Sequence, residues 1–235
     1  MRKIPLMISG ALSLWLALPA LTTAQEQDRA QEAIDLSQWD TEALYQGWRA
    51  EELMDTEVRG IAGEELGEVE DILFGPEGEV VAVIVEGGGF WDIGDTHFRV
   101  PWEDVEIAPG MEYVTVPVTE ETLDQYSVFG EGWDAQETPR LWRASELIDD
   151  YASLTDVMAY GVVDDIIISR EGEITAVIVA PDVAYGRTGP RAYPYYGYDY
   201  GFDPAANLYS LPYTEAETLD REAFAYDRMD KDLFD

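Results

Sequence analysis

The chain has 235 residues, 49 acidic against 14 basic side chains, a formal net charge of −35 and no cysteine. That charge excludes general nucleic-acid binding, which needs Lys and Arg to displace counterions from phosphate, and it opposes adsorption to anionic lipid. Without cysteine there is no disulfide, thiol nucleophile or thiolate metal site, so stability must come from hydrophobic cores.

The first segment reads as an address. Arg2 and Lys3 precede an apolar stretch over residues 4–21, Thr22-Thr23-Ala24 supplies small residues, and acidic Gln25-Glu26-Gln27-Asp28 follows. This is the pattern of a secretory signal peptide, residues 1–24, cut after Ala24, and it places the mature chain in the periplasm or outside the cell. The competing reading is an uncleaved anchor, since the stretch is near the minimum for a span; Pro19 and the small residues before Gln25 favour cleavage. No membrane span is then expected in the mature chain. Residues 25–235 would keep all 49 acids and 12 bases, hence 12 − 49 = −37. Such acidity fits a surface adapted to salt or alkali, or one that gathers divalent cations weakly. An acidic N-terminal segment, 25–44, leads into the first folded unit.

That unit, residues 45–125, opens on Trp48-Arg49-Ala50-Glu51-Glu52-Leu53, where Trp48, Glu52 and Leu53 stand near helical spacing. A helix of one or two turns is expected, with Trp48 and Leu53 against their own unit. Glu57-Val58-Arg59 is a short extended run. A second strand follows from Gly67 to Phe74, whose apolar phase changes between Val69 and Ile72; a bulge at Glu70-Asp71 explains the shift. Gly75-Pro76-Glu77-Gly78 fits a type I turn. Val80 to Val85 is continuously apolar and mostly β-branched, the pattern of a strand buried on both faces. Thr96-His97-Phe98-Arg99-Val100 alternates, sending Phe98 and Val100 inward and His97 and Arg99 outward. A hairpin around Pro109-Gly110 and a helix start at Thr119 to Asp124 close the unit.

The pattern then repeats. Trp48-Arg49-Ala50 returns as Trp142-Arg143-Ala144, Gly67 to Ile72 as Gly161 to Ile166, and Glu77 to Val85 as Glu171 to Val179, all at one offset of 94 residues. Between 48–85 and 142–179, 17 of 38 positions are identical, which means two copies of one domain and not a short-period solenoid. The second copy, 141–220, follows a linker at 126–140, where Gly130, Gly132 and Pro139 suggest a hinge. It ends with Tyr209-Ser210-Leu211-Pro212, parallel to Val114-Thr115-Val116-Pro117. Its middle differs: residues 185–203 are rich in Gly, Pro and Tyr and read as a long, partly extended surface loop. The tail, 221–235, reads as a short amphipathic acidic helix.

The Trp-Arg-Ala-x-Glu-Leu opening, Gly67-Glu68-Val69-Glu70-Asp71-Ile72, Gly87-Gly88-Gly89-Phe90 and Val100-Pro101-Trp102-Glu103-Asp104 together resemble a PRC-barrel domain. That family is named for the photosynthetic reaction centre H subunit and also occurs in the ribosome maturation factor RimM. The resemblance covers about 45–125 and 140–220. The first copy is the closer match; the second departs where the Tyr-rich segment replaces Val100-Pro101-Trp102. The resemblance implies a mainly β fold: two small PRC-type β-barrels in tandem, with short helices at domain starts and ends. It implies an adaptor that binds proteins and does no bond chemistry. The ribosomal role is opposed by the leader and the acidity, and the reaction-centre role belongs to a subunit with its own membrane helix.

The residues themselves supply no catalytic constellation. His97 is the single histidine and stands on an outward strand position. Gly87-Gly88-Gly89 lacks the Lys-Ser/Thr of a phosphate loop. Paired acids such as Asp149-Asp150 and Asp164-Asp165 are expected by chance among 49. Asp71 and Asp165 recur beside the bulge, either as a shared ligand or as acceptors for backbone N–H groups. No cofactor or metal site is assigned. The partner-binding candidates are Tyr185, Arg187, Arg191, Tyr193, Tyr195, Tyr196, Tyr198 and Tyr200, with Phe90 and Trp91 in the first copy, because Tyr and Arg combine contact area with hydrogen bonding. The alternative is that this segment packs on its own barrel or between the two. The expected function is a non-enzymatic periplasmic adaptor for a protein partner, serving envelope stress or maintenance; the alternative is an acidic envelope protein responsive to divalent cations.

Overall fold

β-Branched runs and tight turns dominate the chain, and the computed structural model is accordingly mainly β. It describes residues 33–87, 96–119, 121–122, 126, 140–186, 188–198 and 200–229. The leader, Phe90, Trp91, Arg187 and nearly all of the linker lie outside the described residues.

In the first half, β1 (Trp48–Arg49) and the one-turn helix α1 (Ala50–Leu53) precede β2 (Glu57–Arg59), β3 (Glu65–Phe74), β4 (Val80–Gly87), β5 (Thr96–Pro101), β6 (Glu106–Ile107) and β7 (Val114–Thr115). The second half repeats this as β8 (Trp142–Arg143), α2 (Ala144–Leu147), β9 (Tyr151–Ser153), β10 (Gly161–Ile168), β11 (Ile174–Pro181), β12 (Arg191–Pro194), β13 (Phe202–Asp203) and β14 (Leu208–Ser210), closed by α3 (Glu215–Thr218). Strand order is β5-β4-β3-β2-β7-β6 in one sheet and β12-β11-β10-β9-β14-β13 in the other. The two curled sheets therefore share one topology, including the parallel pairs β2–β7 and β9–β14.

The expected bulge is present in both copies: the β3–β4 register slips between Val69 and Asp71, and the β10–β11 register between Val163 and Asp165. Gly78 N–H donates to Gly75 C=O at 3.1 Å, closing the predicted turn. Strand β4 is buried on both faces, with Val83 and Val85 in the main core and Ala82 and Ile84 covered on the other side. Phe98 and Val100 point inward as expected. Gly67 needs its lack of a side chain: its φ is 147° and Glu86 C=O occupies the place of a Cβ.

The seventh strand of each sheet comes from the other half. Trp48–Arg49 does not start a helix against its own unit; it pairs with Ile168 and Ile167 of β10. Reciprocally, Trp142–Arg143 pairs with Phe74 and Leu73 of β3. The helical spacing of Trp48 is misleading because only Ala50–Leu53 turns, and the preceding residues extend to reach the other sheet. The two β-turns also meet: Val80 N–H donates to Gly172 C=O and Ile174 N–H to Gly78 C=O, each at 2.8 Å. Each contact has its counterpart 94 residues away, which is the signature of an isologous interface with approximate twofold symmetry. One hydrophobic core accordingly spans both halves, taking in Val58, Phe74, Val100, Trp142, Val177 and Tyr193. This interlock opposes the hinge motion that the linker glycines suggested.

The segment expected to be a surface loop is exposed at Gly186, Thr188 and Gly189, but its middle is interior. Residues 191–194 form β12 against β11, all four buried. The register shows why the sequence misled. Ala82 faces Pro101 and its counterpart Ala176 faces Pro194, so Tyr193-Pro194-Tyr195 stands where Val100-Pro101-Trp102 stands in the first copy. The offset there is 194 − 101 = 93, one residue short of the general repeat. Trp102 packs on the Gly172 turn, and Tyr195 packs on the Gly78 turn.

The tail is not an amphipathic helix over its described length. It runs irregularly to a single 3₁₀ turn at Tyr226–Arg228. It joins the N-terminal segment on the outer face of the second sheet, where Tyr45 stacks on Phe224 at 4.9 Å and Leu44, Ile167, Ile178 and Ala192 form a second apolar cluster. Among the described residues no helix is long and apolar enough to cross a membrane.

Candidate interaction surface

The tyrosines sort by burial. Tyr193 is 0 % exposed, with its hydroxyl 2.6 Å from that of Tyr160. Tyr196 is 1 % exposed; its hydroxyl lies 2.7 Å from that of Tyr213 and accepts Ile34 N–H at 3.0 Å. Tyr213 in turn donates to Ile34 C=O, so this pair ties the N-terminal segment to the barrel. Arg191 is buried and spends its guanidinium on the carbonyls of Thr188, Gly189 and Arg221. These three side chains present no surface to a partner.

An aromatic rim remains half-buried. Tyr185 donates to Ala159 C=O at 3.0 Å and stays partly exposed. Tyr195 lies over the Gly78 turn, and its hydroxyl is buried without a partner. Tyr198 stacks on Trp142 at 4.5 Å and accepts from Arg140 at 2.8 Å, and Tyr200 rests on Tyr196. Tyr198 N–H also donates to Pro76 C=O of the first half. The segment therefore packs on its own sheet and across the junction, the alternative that its composition left open.

Asp71 and Asp165 have one geometry. Asp165 is 0 % exposed; its Oδ1 accepts Ile166 N–H at 2.8 Å and Glu51 N–H at 3.0 Å, and its Oδ2 accepts from Arg49 Nε at 2.7 Å. Asp71 accepts Ile72 N–H at 2.8 Å, Ser145 N–H at 3.2 Å and the Ser145 hydroxyl at 2.5 Å. Each carboxylate thus satisfies its own bulge, as anticipated, and also the first turn of the helix arriving from the opposite half. Burial pushes Asp165 above its ordinary value, against the pull of Glu51 N–H, the Arg49 charge and Ile166 N–H. These residues are clasps for the exchange, not a ligand set.

At one buried position the repeat exchanges a neutral side chain for a carboxylate. Thr56 follows α1, and its hydroxyl donates to Glu52 C=O at 2.8 Å. Its counterpart after α2 is Asp150, which is 6 % exposed and whose Oδ2 is buried with no hydrogen-bond partner. An ionised carboxylate has no proton to give the Glu146 carbonyl, so the bond made by Thr56 is lost. Burial, then Glu146 and Asp203, push Asp150 up to about 6. Asp149-Asp150 looked like a chance pair; aligned on the repeat, Asp opposite Thr56 was the available signal.

Stability should follow. The folded pKa of Asp150, about 6, exceeds its ordinary 3.8, so the folded state holds the proton more tightly. This group's contribution therefore weakens stability as pH rises from about 4 through about 6, and recovers on acidification. Replacing it by Asn should stabilise the protein at pH 8 by about 1–2 kcal/mol, a figure held down by solvent screening in an open groove, and the gain should vanish at pH 4. Urea denaturation of both proteins across that range checks the sign.

His97 is 31 % exposed, on the outward position expected, with Nε2 3.2 Å from Glu70. Among the described residues no group of three or more His, Asp or Glu side chains is placed to hold a metal ion.

The PRC-barrel domain family matches residues 48–123. A PRC-barrel domain suggests a non-catalytic module. No curated protein matches the chain.

Proposed function

We propose that the chain is a non-enzymatic adaptor of the bacterial periplasm or cell exterior, binding a protein partner in envelope stress or maintenance. The observation that supports it most is the PRC-barrel match at 48–123. The leader pattern supports export, and the strongly acidic surface supports a soluble life outside the cytoplasm. The half-buried rim of Tyr185, Tyr198 and Tyr200 is the part of the Tyr-rich segment that offers contact area to a partner.

Deleting 185–203 would remove β12 and part of the core, so the test uses single positions. A photo-crosslinking residue at Tyr198 or Tyr200 should yield a discrete protein adduct in the envelope fraction, and mass spectrometry of the exported protein should find Gln25 at its start. Absence of any adduct from both positions would remove the rim from the proposal, and a chain that retains its leader in the cytoplasm would remove the location.

A further inference from the structure

The one buried carboxylate that breaks the repeat also lines a groove. Its walls include Glu146, Asp149, Asp150, Tyr151, Pro204 and Asn207, around about 470 Å³ of open space. That volume suits a side chain or small ligand better than a bare ion. Tyr151 stands 63 % exposed at its edge. Glu146, Asp149 and Asp203 are all exposed around it. Three features meet at this groove: a carboxylate 6 % exposed whose Oδ2 has no partner, further negative charge, and an exposed tyrosine, Tyr151. In the first half Glu52 and Asp55 keep the negative charge, but Thr56 and Glu57 stand in place of Asp150 and Tyr151, and Thr56 is satisfied locally.

We infer that this groove binds a cationic side chain, Arg or Lys, presented by a partner protein. A guanidinium or ammonium supplies the N–H donors that Asp150 lacks, and its charge meets the surrounding carboxylates. Tyr151 provides a ring over which a cation can rest. A metal ion is the poorer fit, since no three carboxylates among the described residues converge on one point. Desolvating a carboxylate without a partner is unfavourable, so a ligand that completes its hydrogen bonding recovers that loss. The inference rests on the adaptor reading and names the chemistry of its partner.

The test exploits the internal repeat. Asp150→Thr installs the first copy's residue and should fold at least as stably at pH 7.5 by making the bond to the Glu146 carbonyl. The probe is a fluorescent Arg/Lys/Gly/Ser hexapeptide, with a citrulline/norleucine version as the uncharged control. Titrations run at about 0.15 M salt, where the Debye length is about 8 Å and diffuse attraction is screened. Glu103→Gln matches the loss of one negative charge at an exposed position elsewhere. The expected result is saturable binding of the basic peptide, weakened at least tenfold by Asp150→Thr and by less than twofold in Glu103→Gln. Equal binding by wild type and Asp150→Thr overturns the assignment, as does equal weakening by both variants. Saturable displacement of the peptide by calcium at constant ionic strength overturns it in favour of a metal. Any of these can occur while crosslinking at Tyr198 still captures a partner, so failure of the groove is distinguishable from failure of the adaptor reading.

Discussion

Cutting the chain within the linker, by a protease site inserted near residues 130–132, should leave the two halves bound as one species on gel filtration. Each half donates its opening strand to the other's sheet: β1 lies on β10 and β8 lies on β3. Separation would uncover Phe74, Trp142 and Phe202, which pack on one another across the junction and are each under 5 % exposed. At about 2–3 kcal/mol for each large apolar side chain returned to water, that loss rivals the whole stability of a domain, about 5–15 kcal/mol. Either half expressed alone should therefore be unfolded, or should self-associate by offering its own opening strand to a second copy. After cleavage the melting temperature should become concentration-dependent, because unfolding now releases two chains. Fragments that elute separately, each with a cooperative melt, would refute the interlock.

Asp165→Ala should be strongly destabilising, at about 3–5 kcal/mol. The substitution leaves the N–H groups of Ile166 and Glu51 without an acceptor and Arg49 half-buried without its counter-charge. Arg49 would keep only its cation–π contact with Tyr226, 4.2 Å from the ring centre, and weaker ion pairs at Glu51 and Glu52. Asp165→Asn retains an acceptor and should cost less. Asp71→Ala should fall lower, at about 1–3 kcal/mol, since Ser145 is neutral and can turn to water, and the Arg143 ion pair is longer, at 3.8 Å, and more exposed than that of Arg49. Chemical denaturation of the three variants gives the order; a loss under 1 kcal/mol for Asp165→Ala would show that the clasp does not hold the exchanged strand.

Much of this fold was legible because the chain writes it twice. The bulge at Glu70-Asp71 showed in the phase change of apolar residues, and the both-face burial of β4 showed in its unbroken Val/Ala/Ile run. The exchange of opening strands did not show. Trp48 would be apolar whether it met its own sheet or the other, and periodicity carries no information about which copy receives it. The Tyr-rich segment was misread for a different reason. Glycine and proline mark turns, so their density masked strand-forming tyrosines, and a single deleted residue hid the equivalence of Tyr193-Pro194-Tyr195 with Val100-Pro101-Trp102. Large tyrosines fill the second barrel where small valines fill the first, with hydroxyls satisfied in pairs such as Tyr160–Tyr193 and Tyr196–Tyr213. The groove was hidden by abundance: one acid among 49 stands out only when set against the threonine that holds its place in the other copy.

The reciprocal strand exchange has a consequence for stoichiometry. An assembly of two identical subunits must repeat every substitution on both sides of its axis, so a change that suits one face is forced on the other. Here the axis runs through a single polypeptide, and Thr56 can stay while Asp150 departs. The molecule keeps the rigidity of a symmetric pair yet offers one cation-accepting notch per chain, which gives any assembly built on it a direction.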